Sequence, residues 1–420
     1  MRTNIALISD HASPLASAGG VDSGGQNIYV AQVARQLARL GYAIDVFTRR
    51  DSAEQPEVIA WQPGVRVINV PAGPPRFVRK EELLPLMEEF CDFVVRFARA
   101  EGGYRVAHAN FFLSTLAARR LKRALGTPFV VTFHALGRVR RLHQPEADEF
   151  PDERLAIEER AIAESDALIA ECPQDRDDLV SLYGADPRKI AIVPCGFDKG
   201  EFWPIARPFA RRALGLDAKE PIILNIGRLV PRKGVDNVVR ALGRLARGHD
   251  VPARLIVVGG NSDLPCPLLT PEIGRLKDLA RAEGVAERVL FTGRRSREFL
   301  KLYYNAADVF VSTPWYEPFG ITPLEAMACG TPVVGADVGG IRYSVADGFT
   351  GCLVPPNDPE ALAASLATLF RDPEYRRSLG RNAIDRVHEQ FTWTKVTAAI
   401  AGLYREVWNA PRPLSLERAA

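Results

Sequence analysis

Short apolar segments alternate with longer amphipathic segments along the first half of the chain. The apolar segments have the length and continuity of buried β-strands, and the segments between them repeat apolar residues at helical spacing. Strands are predicted at 4–8, 44–48, 65–70, 106–110, 128–133, 167–171 and 190–193, and helices at 25–40, 81–100, 114–125 and 153–165. This alternation predicts an α/β fold with a parallel, doubly wound sheet.

The same alternation starts again near residue 222. Further strands are predicted at 222–229, 254–260, 288–293, 308–313 and 332–336. Each half opens as strand, glycine-containing loop, helix and strand, which predicts two Rossmann-like domains facing each other across a cleft. Segment 193–204, with two prolines and two glycines, is the predicted hinge, so we place the domains at 1–198 and 199–393. The pattern leaves open which domain the predicted C-terminal helix (391–408) covers.

Composition narrows the setting. The chain has 420 residues, 47% of them hydrophobic and 25% charged, as in a soluble globular protein. Its net charge of +3 argues against a nucleic-acid partner. The apolar opening segment is too short for a signal peptide, and no apolar run reaches the ~18 residues of a membrane helix. Six cysteines without a C-x-x-C pair favour free thiols over disulfides or structural zinc, so we expect a cytoplasmic protein.

Ligands of doubly wound domains bind at the carboxyl ends of the strands, so the loops there carry the candidate chemistry. Loop 17–27 has four glycines within seven residues, just before a helix predicted to begin about Gly25. It matches neither the spaced dinucleotide fingerprint nor a P-loop. Glycines let a backbone approach a ligand closely, and a helix N-terminus attracts anions, so ligand contact is favoured over a plain turn.

Loop 227–236 follows the first strand of the second half. Arg228 and Lys233 bracket its proline, and a helix is predicted to begin near Gly234. Two cations beside a helix N-terminus suit a diphosphate, although basic residues in loops are usually only solvated.

Segment 315–334 is the most specific motif. Glu317 lies in a loop, and Glu325 is placed in the first turn of a helix that contains Pro323 and ends at Gly330. Two carboxylates at different heights of one cleft suit the hydroxyls of a sugar or ribose, whereas helix-dipole compensation alone would also explain Glu325. Neighbouring backbone amides can bind hydroxyls or phosphate: Phe319, Gly320, Ile321 and Thr322.

Two further patterns have simpler alternatives. His134 is placed at the end of a buried strand, where its side chain would enter the cleft, but a lone histidine there is more often structural. A basic cluster follows it, comprising Arg138, Arg140 and Arg141. Asp175 and Asp177 form a D-x-D pattern, but they open a predicted helix where aspartates are expected, so we assign no metal.

Together these motifs resemble those of family 4 retaining glycosyltransferases of the GT-B fold. The resemblance rests on G-G-Q-N-x-Y-V (24–30), the G-R and R-K-G of Arg228 and Lys233, and E-P-F-G at Glu317 with a second glutamate at Glu325. It extends from about residue 4 to 408 and is strongest to the branch of sucrose-phosphate synthase, sucrose synthase, mannosylfructose-phosphate synthase and the inositol-phosphate glycosyltransferase of mycothiol synthesis. It also implies that the C-terminal helix, about 394–410, returns to the first domain.

The resemblance implies roles on the donor side of the cleft. Arg228 and Lys233 would hold the donor diphosphate, Glu325 the ribose and Glu317 the hexose, and His134 would contact the donor sugar through its carbonyl or ring. The implied catalytic residues are His134, Arg228, Lys233 and Glu317. The implied donor-binding residues are Gly24, Gly25, Arg228, Lys233, Glu317, Phe319, Gly320, Ile321, Thr322 and Glu325.

It also implies an acceptor phosphate. The acceptor-binding residues would be Gly25, Gln26, Lys80, Arg140 and Arg154. Two departures stand out, because position 140 is usually lysine in the sucrose-phosphate branch and H-A-N-F-F at 108–112 replaces its H-x-Y pattern.

The expected function is retaining transfer of a hexosyl group from a nucleotide-diphosphate sugar, UDP-glucose-like or GDP-mannose-like, to a small phosphorylated sugar or polyol, with no cofactor or metal. The alternative is a lipid-linked or exopolysaccharide acceptor, with the basic segment 117–141 facing a membrane. A dinucleotide oxidoreductase and an exported sugar-binding protein are disfavoured, since both the fingerprint and a signal peptide are lacking. The sequence leaves open the donor base, the hexose, the acceptor and the oligomeric state.

Overall fold

The computed structural model of the protein describes residues 3–16 and 24–410. The strands of the first half are β1 (Asn4–Ile8), β2 (Ala43–Arg49), β3 (Val58–Gln62), β4 (Val65–Val70), β5 (Val106–Asn110), β6 (Phe129–Thr132), β7 (Ala167–Ala170) and β8 (Ile190–Ile192). Its helices are α1 (Gly25–Arg39), α2 (Met87–Ala100), α3 (Phe112–Leu125), α4 (Gly137–His143), α5 (Glu153–Glu164) and α6 (Pro173–Tyr183).

The second half repeats the alternation. Its strands are β9 (Ile222–Ile226), β10 (Arg254–Val258), β11 (Val289–Gly293), β12 (Val309–Ser312), β13 (Val333–Ala336) and β14 (Gly351–Val354). Its helices are α7 (Arg207–Ala213), α8 (Val235–Gly248), α9 (Pro271–Ala282), α10 (Arg297–Ala306), α11 (Ile321–Ala328), α12 (Gly339–Ser344), α13 (Pro359–Arg371), α14 (Pro373–Gln390) and α15 (Trp393–Asn409).

The strands form two separate sheets. The first has the order β3-β4-β2-β1-β5-β6-β7-β8 and the second the order β11-β10-β9-β12-β13-β14. Neighbouring strands run parallel, except that β3 pairs antiparallel with β4 at the edge. In each half, the chain first adds strands on one side of its first strand (β1 or β9) and then continues on the other side. This switch point creates a crevice at the carboxyl ends of the strands. The predicted pair of doubly wound α/β domains of GT-B type is confirmed.

Four elements of the structure differ from those predicted or were missed: α2, β3, β14 and α4. The predicted helix 81–100 begins only at Met87, after two 3₁₀ turns, because Pro85 has no N–H for a helical hydrogen bond. The edge strand β3 was missed although residues 58–61 form a short apolar run, and its residues are exposed or half-buried as at the edge of a sheet. The short β14 and helix α4 were missed as well.

The C-terminal helix α15 packs along α1 of the first half and also contacts β5. His108 Nδ1 on β5 lies 2.6 Å from the hydroxyl of Tyr404. The linker is fixed beside it, because the N–H of Phe197 donates to the carbonyl of Phe391 at 2.8 Å. The boundaries at 198/199 and 393/394 stay a prediction.

Contacts between the halves hold the two carboxyl edges face to face. The thiol of Cys172 at the start of α6 donates to the carbonyl of Pro318 at 3.3 Å. The rings of His143 and Tyr316 stack with centroids 4.9 Å apart, and the Tyr316 hydroxyl lies 3.3 Å from the side-chain oxygen of Gln144. Because Tyr316 and Pro318 flank Glu317, the E-P-F-G loop is anchored to the first domain from both sides.

Cysteine pairing and membrane helices were both excluded by the sequence analysis. All six cysteines are free, and four of them are buried: Cys91, Cys172, Cys195 and Cys329. Among residues 3–16 and 24–410, no helix has the length and apolar character needed to cross a membrane.

Candidate active site

The loop after β9 places Arg232 and Lys233 beside the end of β12. A 3₁₀ turn over Pro231–Lys233 leads into α8 through Gly234, whose φ is +66°. A Cβ atom at this glycine would lie 1.9 Å from the carbonyl oxygen of Thr313. Only glycine therefore allows the turn to approach β12 so closely. The approach brings the R-K-G motif directly onto the loop that carries Glu317.

Three cations surround one carboxylate here. The ammonium group of Lys233 forms an ion pair with Glu317 Oε2, and Arg232 Nη1 lies 3.9 Å from the same oxygen. The guanidinium of Arg232 also lies 5.3 Å above the ring of Tyr316. Arg228 is close enough to act electrostatically on both Lys233 and Glu317. Two cations, Arg232 and Lys233, therefore share one carboxylate.

Burial and charge shift the protonation of this cluster. The pKa of Lys233 is lowered to about 8: burial lowers it most, Arg232 and Arg228 act in the same direction, and Glu317 opposes them. Burial would raise the pKa of Glu317, but the surrounding cations outweigh it and hold the pKa below its usual value. A buried cation with a lowered pKa gains stability when an anion binds beside it.

The E-P-F-G loop is fixed from a second direction by α12. The N–H of Gly340 donates to the carbonyl of Glu317 at 3.2 Å. A Cβ at Gly340 would lie 2.2 Å from Phe319 Cα, so no larger residue fits without moving the loop. Helix α11 starts directly after the loop, and its first N–H groups (Gly320, Ile321 and Thr322) have no helical acceptor. These amides are therefore available to a bound hydroxyl or phosphate.

Glu325 lies deeper than predicted. It is the fifth residue of α11, in the second turn rather than the first, and only 1% of it is exposed. Its Oε2 accepts from the Tyr304 hydroxyl at 2.8 Å, and its Oε1 lies 2.7 Å from Arg297 Nη1. Burial raises the pKa of Glu325, against the opposing effect of Arg297 and Tyr304. Arg297 also pairs with Glu201 of the linker, and the ribose-binding role of Glu325 stays a prediction.

The N-terminus of α1 meets this cluster from the first domain. A Cβ at Gly24 would lie 3.6 Å from Arg228 Nε, and one at Gly25 would lie 3.7 Å from Ile321 Cδ1. The side-chain amide of Gln26 donates to Ser9 Oγ at 3.2 Å, on the inner side of the same helix turn. Two helix N-termini and the second-domain cations thus converge at one point of the cleft. Residues 17–23 of the predicted glycine loop lie outside the described residues.

His134 lies two residues beyond the end of β6, with a φ of +59°. Its ring is held on both sides, with Nδ1 2.9 Å from Glu171 Oε1 and Nε2 3.0 Å from Asn110 Oδ1. The ring of Tyr29 packs edge-on against it at 4.7 Å. Of the two predicted ways to contact a donor sugar, these contacts favour the backbone carbonyl, since both ring nitrogens already have partners.

Arg154 is buried, with 1% exposed. Its Nε donates to Glu158 Oε1 at 2.8 Å and its Nη2 to the carbonyl of Ala135 at 2.6 Å. The guanidinium lies 4.4 Å from the ring centre of Phe150, and its buried Nη1 has no hydrogen-bond partner in the described part of the chain. One donor of this buried arginine therefore has no acceptor among the described residues.

The other two predicted acceptor cations have carboxylate neighbours. Arg140 Nε donates to Asp148 Oδ1 at 2.8 Å, and its guanidinium lies 5.3 Å from the same Phe150 ring that Arg154 contacts. Lys80 Nζ lies 3.1 Å from Glu81 Oε1, with 21% of the lysine side chain exposed. The acceptor-binding assignment of these residues stays a prediction.

The D-x-D pattern takes the place expected for it at a helix start. Asp175, in the first turn of α6, accepts from the N–H of Glu171 at 2.8 Å, and burial raises its pKa to about 8. Within the described ranges, no group of three or more His, Cys, Asp or Glu side chains is arranged to hold a metal ion. Independence from metal stays a prediction.

Several residues of the site were missed by the sequence analysis. Asn110 ends β5 and Glu171 directly follows β7, so the rule that selected the other loops also applied to them. Arg232 adjoins Lys233, and Gly340 belongs to a glycine pair at the start of α12. Arg297 has no such signal, because its partner Glu325 lies on another helix.

Two family models of glycosyltransferases match the two halves of the chain. Residues 23–201 match the family model described as Glycosyltransferase Family 4, and residues 206–386 match the model described as Glycosyl transferases group 1. The D-inositol 3-phosphate glycosyltransferase of Actinosynnema mirum is 38% identical over 410 residues, covering 95% of this chain and 96% of that protein. The protein of the same name from Xylanimonas cellulosilytica is 38% identical over 411 residues, with 96% of both chains covered.

A solved structure is similar over the full length. Sucrose-phosphate synthase from Thermosynechococcus elongatus superposes with a TM-score of 0.89 at 34% identity. The match covers 98% of this chain and 100% of that one, so both domains and their relative arrangement are alike.

Proposed function

Because this chain belongs to glycosyltransferase family 4, we propose that it transfers a hexosyl group from a nucleotide-diphosphate sugar to a small phosphorylated sugar or polyol, with retention of configuration. One observation carries the proposal most: Arg232 and Lys233 of the second domain share the single carboxylate of Glu317, and Arg228, which acts on both Lys233 and Glu317, lies directly opposite the N-terminus of α1. A surplus of positive charge at the junction of two domains suits a diphosphate bound across the cleft.

On the donor side, Lys233 and Arg228 bind the diphosphate. The leaving group gains negative charge as the glycosidic bond breaks, and preorganised cations and helix N-termini stabilise that charge most in the transition state. Glu317 orients the ammonium group of Lys233 and faces the hexose together with the amides of Phe319 and Gly320. The amides at the start of α11 complete the anion site.

The chemistry needs no separate nucleophile from the protein. The acceptor hydroxyl attacks from the face on which the diphosphate leaves, and the departing phosphate oxygen takes the hydroxyl proton. The held ring of His134 supports this assignment, since its nitrogens contact Glu171 and Asn110 and its backbone carbonyl is left to face the hexose. The enzyme thus acts by positioning and by stabilising charge.

On the acceptor side, a phosphate would bind in the first domain. The relatives named above include inositol-phosphate and sucrose-phosphate enzymes, and their names motivate a phosphorylated acceptor. Lys80 and the Nη1 of Arg154 are the candidate phosphate donors, with Gln26 and Gly25 near the hydroxyl that reacts. Arg140 contributes through the Phe150 ring that it shares with Arg154.

The charges of segment 117–141 speak against the alternative of a membrane-bound acceptor. The segment's seven arginines and lysines pair with six carboxylates, because Arg119 and Arg123 share Glu164 and the other pairs are Arg120–Asp92, Lys122–Asp166, Arg138–Glu159, Arg140–Asp148 and Arg141–Asp152. Neutralised cations attract anionic lipid weakly. A small acceptor is therefore the better proposal.

A substrate panel tests the function directly. UDP-, GDP- and ADP-sugars are combined with phosphorylated acceptors and with the same acceptors lacking phosphate, and nucleotide release is measured. We expect release only with a phosphorylated acceptor, for example fructose 6-phosphate but not fructose. Release that is the same with and without the phosphate would refute the acceptor assignment, and no release with any donor would refute the transferase.

A further inference from the structure

A second basic cavity lies on the edge of the second sheet opposite to the cleft. It has a volume of about 370 Å³, and its walls come from the residues that precede β9, β10 and β12 together with α7, α13 and α14. Five cationic side chains and two carboxylates line it. This volume falls in the usual range of small-molecule sites.

The cations of this cavity are not balanced by the carboxylates beside them. Arg207 Nη1 and Arg376 Nη2 lie 2.8 and 3.2 Å from Asp308 Oδ1, and Arg211 Nη2 lies 2.8 Å from Oδ2. The N–H of Ile222 also donates to Oδ2 at 2.9 Å. One carboxylate thus serves three arginines and a backbone amide, and it has no capacity left for the remaining cations.

One donor in the cavity wall has no acceptor. Arg376 Nε is buried and without a hydrogen-bond partner among residues 3–16 and 24–410. Burial lowers the pKa of Arg376, and the neighbouring Arg207 and Arg211 act in the same direction, against Asp308. Since the guanidinium of Arg376 lines the cavity and shares Asp308 with two other arginines, an anionic ligand there would compensate its charge.

The other walls suit a ligand with a carbon skeleton. Val251, Pro252 and Phe370 line the cavity beside the cations, and the ring of Phe370 lies 5.6 Å from the guanidinium of Arg376. Lys219 and Arg371 stand at the rim, where both are exposed to solvent. A phosphorylated small molecule would place its phosphate against the cations and its carbon atoms against the apolar side chains.

We propose that this cavity is a second anion site, which binds a small phosphorylated metabolite through Arg207, Arg371, Arg376 and Lys219. It is distinct from the cleft, because the cleft lies at the carboxyl ends of the strands and this cavity lies at their amino ends. The proposal does not depend on the proposed function, since it uses none of the residues assigned to donor or acceptor.

Calorimetric titration of the full-length protein with inorganic phosphate tests the site at constant ionic strength. The variant Arg207→Gln/Arg371→Gln removes two of the ligating charges but leaves the buried Arg211 and Asp308 in place. The matched control is Arg212→Gln, which removes the same charge from α7 outside the cavity. The predicted acceptor site lies in the other domain and is unchanged in all three proteins, so it cancels in the comparison.

We expect the double variant to weaken phosphate binding at one site by about tenfold or more, and Arg212→Gln to bind as the wild type does. Identical isotherms for the three proteins would overturn the proposal. Lys219→Gln is the second variant, because an exposed lysine is replaced without risk to the fold. If the double variant does not fold, unchanged phosphate binding by Lys219→Gln overturns the proposal, and binding weakened several-fold supports it.

Discussion

The cations on the two sides of the cleft differ in how they are balanced. In the second domain, Arg232 and Lys233 share the single carboxylate of Glu317. In the first domain, the predicted acceptor cations lie in ion-pair groups with as many carboxylates as cations: Arg154 with Glu158, Arg140 and Arg141 with Asp148 and Asp152, and Arg79 and Lys80 with Glu81 and Glu149. The donor side therefore holds a surplus of charge, whereas the acceptor side holds neutral groups.

This difference helps to distinguish basic residues that bind an anionic ligand from basic residues that stabilise the fold, which the sequence alone does not separate. A surplus cation interacts with an incoming anion at nearly full strength, whereas a cation in a buried pair contributes first to the fold. The same criterion separates Arg154, whose pair is buried, from Lys80, whose pair is partly exposed. The predictions below test this order of roles, beginning with the largest effect.

Replacing Arg154 by methionine should mainly destabilise the protein. Methionine fills similar volume but leaves the buried carboxylate of Glu158 without its charged partner. Breaking a buried pair in this way costs about 3–5 kcal/mol. Urea unfolding monitored by circular dichroism measures the loss.

Two controls distinguish the loss of the Arg154–Glu158 ion pair from the effect of replacing any arginine of this helix. Arg160→Met removes an exposed arginine of the same helix and should change the free energy of unfolding by less than about 0.5 kcal/mol. The double variant Arg154→Met/Glu158→Gln removes both charges and should recover part of the stability. A stable Arg154→Met variant would contradict the structural role of the pair, whatever its acceptor KM.

Replacing Lys233 by alanine should abolish most turnover while the protein stays folded. The ammonium group is the closest cation to Glu317, and losing one preorganised donor costs about 2–4 kcal/mol of transition-state stabilisation, or roughly 10² to 10³ in kcat. Steady-state nucleotide release measures it. The control Lys277→Ala removes an exposed lysine of α9 and should leave kcat unchanged. Wild-type turnover in a folded Lys233→Ala protein would remove this residue from the catalytic set.

Replacing Lys80 by methionine should raise the KM for the phosphorylated acceptor about tenfold, which corresponds to the loss of one charge-assisted hydrogen bond. Because the Lys80 side chain is partly exposed and pairs with its neighbour Glu81 at 3.1 Å, stability should change little. Donor hydrolysis without acceptor provides the internal control, since it does not involve the phosphate. An unchanged KM would show that the acceptor phosphate, if bound, is bound elsewhere.

The sequence predicted the architecture better than the pairing. Strand and helix periods, and the rule that ligands bind at carboxyl ends, located the loops of Arg228, Lys233 and Glu317 correctly because these signals are local. The i, i+4 spacing of Arg154 and Glu158 is also local, but only the fold reveals that both are buried. The pairing of Arg297 with Glu325 depends on two helices meeting, which no local pattern indicates.

The last prediction concerns how donor binding by Lys233 depends on pH. Burial favours the neutral form of Lys233, so its proton is lost near pH 8 rather than at its usual, higher pKa. Since the charged form binds the diphosphate, kcat/KM for the donor should fall as the pH rises through about 8. One unit above that pKa, the loss should be about tenfold.

The bound diphosphate adds negative charge beside Lys233 and raises its pKa in the complex, so kcat should fall only at a higher pH than kcat/KM. In Lys233→Arg the guanidinium stays charged throughout this range, so the alkaline fall of kcat/KM should disappear even if the rate at neutral pH is lower. The Arg140→Lys variant, which changes a cation of the first domain, should leave the alkaline fall of kcat/KM at the same pH. An alkaline limb that persists in Lys233→Arg would mean that another group titrates, and the surplus charge at Glu317 would then not control donor binding.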